Sequence, residues 1–218
     1  MPPEVQVATL TVGAFGSNCH ILSRAGDRQA LLIDPGDEAP RILAHLREER
    51  LAPAAILLTH GHMDHVTALA EVSRAFPRAP VGLHPAETTW AFTPANAMPP
   101  YYETPEAPPH LDRAWADGQS WTDAGWTYDI IEIPGHSPGS VGFHFRAEAI
   151  LFSGDVLFAG SIGRADLPGG HAPTLARSLK RLLELPDETV IYPGHGPRTT
   201  IGEERKANPY LRNLSWAR

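Results

Sequence analysis

The stretch Ala55-Ile56-Leu57-Leu58-Thr59-His60-Gly61-His62-Met63-Asp64-His65 sets an apolar run directly before three histidines and an aspartate. Residues 55–58 read as a short buried strand. In an extended segment, side chains two positions apart share a face. His60 and His62 can therefore reach one metal ion, while Asp64 and His65, at the turn into a helix, can face another. Asp64 alone also reads as a helix cap. The four residues together read as ligands.

Working outward, three more segments repeat the order of strand, small residues, then donor. Residues 131–133 run into Pro134-Gly135-His136-Ser137-Pro138-Gly139, residues 149–152 into Ser153-Gly154-Asp155, and residues 190–192 into Pro193-Gly194-His195-Gly196-Pro197. Singly, each histidine reads as a hydrogen-bonded turn residue. Four strand ends with matching chemistry point instead to a site at the carboxyl ends of strands, where α/β sheets place their ligands. His60, His62, His65, His136 and His195 supply five imidazoles, and Asp64 and Asp155 two carboxylates. Nitrogen and oxygen donors without thiolate suit zinc, iron or manganese. Seven ligands exceed what one tetrahedral ion takes and fit two ions if a carboxylate bridges, leaving room for a shared water. Such a set is catalytic rather than structural.

Composition narrows the class. At 218 residues, one domain covering 1–218 is expected. A single cysteine, Cys19, excludes an internal disulfide framework and multi-cysteine metal sites. A net charge of −7, with Lys180 and Lys206 the only lysines, argues against a nucleic-acid partner. The start, Met1 to Val7, has no basic segment leading into an apolar one, and no apolar run reaches membrane-spanning length. A cytoplasmic protein with no membrane partner is the expectation, and the oligomeric state is open.

Strands are expected at 5–12, 19–23, 30–33, 55–58, 81–83, 127–133, 141–145, 149–152 and 189–192. Asp37 can cap a helix that shares Ile42, Leu43 and Leu46 on one face. A second helix is expected from about Asp64 to Pro77, with Leu69, Val72 and Phe76 inward. A third starts near Pro173 and buries Leu175, Leu179, Leu182 and Leu183. Thr200-Ile201-Gly202-Glu203 reads as a capping box for a last short helix. This order suits an α/β fold with two mixed sheets and helices on their outer faces better than one doubly wound sheet. The proline-rich residues 93–109 form a long loop, either a lid or a plain crossover.

The Thr59–His65 segment followed by His136, Asp155 and His195 resembles the metallo-β-lactamase superfamily, whose fold is an αββα sandwich. The resemblance implies a first metal site of His60, His62 and His136. It implies a second of Asp64, His65 and His195, with Asp155 bridging. Asp155, where typical two-zinc antibiotic-hydrolysing lactamases carry cysteine, sets the chain apart from them. Within the superfamily the chain is similar to glyoxalase II-like hydrolases. Gly13-Ala14-Phe15-Gly16-Ser17-Asn18-Cys19, Leu32-Ile33-Asp34-Pro35-Gly36 and Ser153-Gly154-Asp155-Val156-Leu157-Phe158 carry that likeness. Ser161-Ile162-Gly163-Arg164-Ala165-Asp166-Leu167-Pro168-Gly169-Gly170 resembles the short, single-domain bacterial branch, which lacks the carboxy-terminal glutathione-holding domain of long glyoxalase II enzymes.

The resemblance implies a metal-dependent hydrolase that cleaves a thioester such as S-lactoylglutathione through a metal-bound hydroxide. Asp64 and Asp155 are the catalytic carboxylates. Two divalent ions are expected, zinc first and iron or manganese as alternatives. The competing reading is a mononuclear iron persulfide dioxygenase acting on glutathione persulfide, with iron held by His60, His136 and Asp155. Arg164 can meet a substrate carboxylate or pair with Asp166, and His171 is a candidate substrate contact. Asp34 either supports a ligating histidine or only forms its turn. Cys19 reads as a buried small residue, and Tyr101 and Tyr102 as entrance lining or surface packing.

Overall fold

The computed structural model describes residues 4–212; the first three residues of the stretch read for a targeting signal lie outside them. None of the helices among the described residues is long and apolar enough to cross a membrane. The chain divides into two compact units. One runs to Ala114 and takes in Thr122–Trp126; the other holds Trp115–Trp121 and everything from Thr127 onward.

The first unit contains β1 (Val5–Val12), β2 (Ser17–Arg24), β3 (Gln29–Ile33), α1 (Ala39–Glu48), β4 (Ala52–Leu57), α2 (Met63–Val66), α3 (Leu69–Ala75), β5 (Val81–Leu83), α4 (Pro85–Thr88) and β6 (Arg113–Ala114). Its six strands form one sheet in sequence order. The β1–β2 and β2–β3 pairs are antiparallel, and β3–β4, β4–β5 and β5–β6 are parallel. Ile33 pairs with Leu57, so β3 and β4 end at the same edge of the sheet, and Asp34 and the histidine turn both start from it. Ile42 and Leu46 of α1 and Leu69 and Val72 of α3 are fully buried in one cluster with Leu32, Ile56 and Val81. Each such side chain contributes about 1.5–3 kcal/mol.

Two helix expectations need correction. Asp37 does not cap α1: the N-cap is Glu38, in the left-handed region at φ 53°, with no side-chain capping bond. Asp37 instead accepts the Glu38 N–H at 2.6 Å. The helix expected from Asp64 is broken into α2 and α3, because the Ala68 N–H donates to Gly36 O at 3.3 Å.

The second unit contains β7 (Ser120–Asp123) and β8 (Trp126–Glu132), whose hairpin tip falls in the first unit, then β9 (Val141–Phe145), β10 (Ile150–Gly154), β11 (Leu157–Phe158) and β12 (Ser161–Ile162). There follow α5 (Ala172–Leu182), β13 (Val190–Pro193), β14 (Thr199–Thr200), α6 (Ile201–Ala207) and α7 (Pro209–Arg212). The sheet order is β14-β13-β10-β9-β8-β7, with β11 and β12 a separate hairpin. Antiparallel β8–β9 and β9–β10 pairs and a parallel β10–β13 pair make β8, β10 and β13 run in one direction. Their carboxyl ends therefore share an edge.

Alternation on β9 sends Phe143 and Phe145 to one face, among Tyr128 and Phe152, with ring centroids 5.3–6.0 Å apart. His144 takes the other face, 7 % exposed. Helix α5 opens with Pro173 in its first turn and buries Leu175, Leu179 and Leu182, while Leu183 is its half-buried C-cap. Half of the expected capping box is present. Thr200 Oγ1 accepts the Glu203 N–H at 3.1 Å, but the Glu203 carboxylate turns to the Thr199 hydroxyl. Both sheets are mixed and carry helices, as the order of elements required.

Candidate metal centre

In the first unit, His60 and His62 stand on the turn that follows β4, and Asp64 and His65 in the single turn of α2. His60 and His65 are fully buried, Asp64 is 6 % and His62 7 % exposed. The His60 ring lies 4.9 Å from that of His62 and 4.3 Å from that of His65. Asp34, His60 and His65 offer donor atoms within 4.8 Å of one another, but the hydrogen bonds give Asp34 a different part. Its Oδ1 accepts the Thr59 N–H at 2.7 Å, and its Oδ2 accepts the Thr59 hydroxyl at 2.6 Å. His65 Nδ1 stands 3.1 Å from Oδ2.

This arrangement fixes two tautomers. Thr59 Oγ1 spends its one proton on Asp34, so at 3.0 Å from His60 Nδ1 it accepts. His65 Nδ1, facing a carboxylate, donates. Both rings then carry their lone pair on Nε2, the form a metal needs, and a carboxylate behind a ligating imidazole raises its basicity. Asp34 thus both makes its turn, at φ 50°, and supports two histidines. It reaches Thr59 because parallel β3 and β4 end side by side, with the Asp34 N–H on Leu57 O at 3.1 Å.

In the second unit, His136, Asp155 and His195 follow β8, β10 and β13. Asp155 Oδ2 lies 3.7 Å from His136 Nε2 and 3.4 Å from His195 Nε2. Register explains the second distance: Gly154 pairs with Pro193, and the Gly194 N–H donates to Gly154 O at 2.9 Å. His136 Nδ1 donates to the Arg164 carbonyl at 2.8 Å, which again leaves the lone pair on Nε2. Gly163 is required beside it. A Cβ there would sit 1.8 Å from the Asp155 carbonyl oxygen, so only glycine lets the 163–164 backbone lie this close.

The two substrate candidates differ. Arg164 lines a cavity of about 390 Å³ with Ile162, Ala165, Leu175 and Tyr210. It is also tied to Asp166 by two bonds of 2.7 and 2.9 Å. The guanidinium holds the Asp166 carboxyl below its usual range. His171 is the exposed residue preceding α5, with Nδ1 at 2.7 Å from Thr174 Oγ1, and does not line that cavity. Tyr101 is 62 % exposed and Tyr102 3 %. Burial first, then the charge of Asp64, pushes the Tyr102 phenol up, so it stays protonated beside that carboxylate.

The donor chemistry fits a divalent metal, with imidazole nitrogens and carboxylate oxygens in each unit. Cys19 is fully buried, and burial followed by the charge of Asp34 pushes its thiol up, so it supplies no thiolate. Sequence reasoning missed Glu87 and Asn96, which hold the histidine turn from behind, and the part that Thr59 plays within its own motif. No motif marks Glu87 and Asn96, because what they bind is backbone.

Comparison with known proteins agrees with this chemistry. The model of the metallo-β-lactamase superfamily matches residues 12–195. The hydroxyacylglutathione hydrolase GloC of Haemophilus influenzae is 35 % identical over 214 residues, covering 97 % of this chain and 100 % of that protein. The crystal structure of BLEG-1 B3 metallo-β-lactamase superposes with a TM-score of 0.89 at 39 % identity, covering 95 % of this chain and 100 % of that one. TTHA1623 in a di-iron-bound form gives 0.82 at 41 % identity, covering 94 % and 100 %. ETHE1 from Myxococcus xanthus gives 0.76 at 26 % identity, covering 96 % and 91 %. With two mixed sheets and this match across most of its length, the chain belongs to the metallo-β-lactamase superfamily of metal-binding hydrolases.

Proposed function

We propose that the chain is a thioester hydrolase of the glyoxalase II-like type, acting on a small S-acyl thiol such as S-lactoylglutathione. The observation that carries this reading is the full-length likeness to the Haemophilus hydroxyacylglutathione hydrolase. The donor geometry is compatible with it. In this reading His60, His62 and His136 hold one divalent ion, Asp64, His65 and His195 hold a second, and Asp155 is shared. Zinc is the expected metal, with iron or manganese as alternatives; the di-iron form of TTHA1623 keeps iron in play. Two such ions supply an activated water near neutral pH and polarise the thioester carbonyl.

The residues of the chain do the rest. Asp34 and Thr59 keep His60 and His65 in the Nε2-donor tautomer. Asp64 would be chiefly a ligand and secondarily a proton carrier, and Asp155 would be the carboxylate shared between the two sites. The departing thiolate needs no acid, because it is already a good leaving group. Arg164, which lines the cavity, meets a substrate carboxylate, and His171, outside that cavity, is the weaker contact. The two units act as one catalytic domain on a small molecule in the cytoplasm, with no nucleic-acid or membrane partner.

Metal analysis and three assays on one preparation test this. Two ions per chain with cleavage of S-lactoylglutathione is the expected result. One iron per chain with oxygen uptake on glutathione persulfide overturns it, and so does β-lactam opening faster than thioester cleavage.

A further inference from the structure

Residues 58–62 belong to neither strand nor helix, yet they carry His60 and His62 and are buried. A buried turn must have its backbone N–H and C=O groups satisfied. Here two side chains from a remote segment do it. The Gly61 N–H donates to Glu87 Oε2 at 2.7 Å. Asn96 Nδ2 donates to Gly61 O at 2.8 Å, and Asn96 Oδ1 accepts the Met63 N–H at 3.2 Å. The second amide proton of Asn96 goes to Ala91 O at 2.6 Å, which ties the clamp to its own segment. Glu87 is fully buried and Asn96 is 3 % exposed.

Two details make this more than general packing. His62 is the N-cap of α2 but makes no side-chain capping bond. An N-cap side chain ordinarily serves the first-turn N–H groups; Asn96 takes the Met63 N–H instead, so capping does not draw on the His62 imidazole. The contact also has no slack. A Cβ on Gly61 would lie 2.8 Å from Ala91 Cβ and 3.1 Å from Glu87 Oε2. Trp90, between the two clamping residues, sets its ring edge-on to His62 at a centroid distance of 5.1 Å.

We propose that Glu87 and Asn96 are positioning residues of the metal centre, holding the backbone of His60-Gly61-His62-Met63 so that the two imidazoles present their donor atoms in fixed places. This rests on the metal-binding part of the function proposed above and not on the identity of the substrate.

The test uses the full chain and Glu87→Ala, Glu87→Gln, Asn96→Ala and Asn96→Ser. Zinc affinity is read by competition with a chromophoric chelator, the cobalt(II) visible spectrum reports ligand geometry, and thermal midpoints are taken metal-free. Glu87→Ala and Asn96→Ala are expected to weaken zinc binding about 10–100-fold and to alter the cobalt bands. For the thioester, kcat falls while KM stays near the parental value. Glu87→Gln keeps an oxygen that accepts the Gly61 N–H, so its affinity is expected within about threefold of the parent. Folded alanine variants with parental zinc affinity and cobalt spectrum, changed only in metal-free midpoint, overturn the proposal. If Glu87→Ala does not fold, Asn96→Ser decides, since it removes bonds to the same backbone and leaves little void. A parental chain that holds metal but cleaves no thioester defeats the functional reading alone.

Discussion

The two units build their shares of the donor set in opposite ways. In the first, four donors lie within the six residues from His60 to His65, across the turn after β4 and the start of α2. In the second, His136, Asp155 and His195 come from the ends of β8, β10 and β13, and only the strand directions bring them together. The supports differ too. Behind the first set stand side chains of Asp34, Thr59, Glu87 and Asn96. Behind His136 stands a backbone carbonyl, that of Arg164, brought close by Gly163. A set compact in sequence has its turn braced by remote side chains; a set spread over the sheet is brought together by strand direction and braced by the backbone of a neighbouring loop.

The largest expected effect breaks the comparison at its hinge. Asp155→Ala removes the carboxylate on which both His136 and His195 converge. Loss of metal from both proposed sites and at least about a 10³-fold fall in kcat/KM are expected, since two ions sharing Asp155 would act as one clamp. Elemental analysis of the dialysed protein checks this, and retention of two ions with activity ends the bridging assignment.

A smaller effect sharpens the first set. Asp34→Asn keeps an oxygen for the Thr59 N–H but no longer a carboxylate for both Thr59 Oγ1 and His65 Nδ1. We expect a 10–100-fold, order-of-magnitude loss of metal affinity, with the bond from His136 to the Arg164 carbonyl untouched. Titration with a chelator would show both proposed sites weakened, since Asp34 stands behind His60 through Thr59 and behind His65 directly; parental affinity at both would remove Asp34 from the supports.

The smallest effect concerns the rim. Arg164 is 60 % and Asp166 71 % exposed, and a pair so open to solvent contributes little to stability. Arg164→Ala is expected to leave the thermal midpoint within about a degree or two. It should raise KM for a carboxylate-bearing thioester several-fold, roughly one lost charge-assisted bond. An unchanged KM removes Arg164 from the substrate.

Legibility in the sequence divides along the same line. Strands 5–12, 81–83 and 141–145 are legible residue for residue, because β-branched or aromatic runs are bounded by turn residues. The two-residue strands Arg113–Ala114 and Thr199–Thr200 and the polar Ser120–Asp123 are too short or too hydrophilic to show a period. The histidine turn stands where a strand ends and a helix begins, and its spacing is visible in one line of sequence. The break between α2 and α3 is not visible, because it depends on Gly36, more than thirty positions away. Glu87 and Asn96 are illegible for the same reason: a lone Glu in Pro85-Ala86-Glu87-Thr88 gives no hint that its partner is the amide of Gly61.

The buried, protonated Cys19 leaves a donor set of nitrogen and oxygen alone. Such a set has no sulfur to lose. Peroxide climbs the oxidation ladder only where a thiolate is exposed, and alkylating reagents need the same anion. Oxidants and thiol-blocking agents that strip zinc from cysteine-bound sites therefore have no point of attack on a nitrogen and oxygen donor set, and the centre can work amid the thiols that its proposed thioester hydrolysis would release.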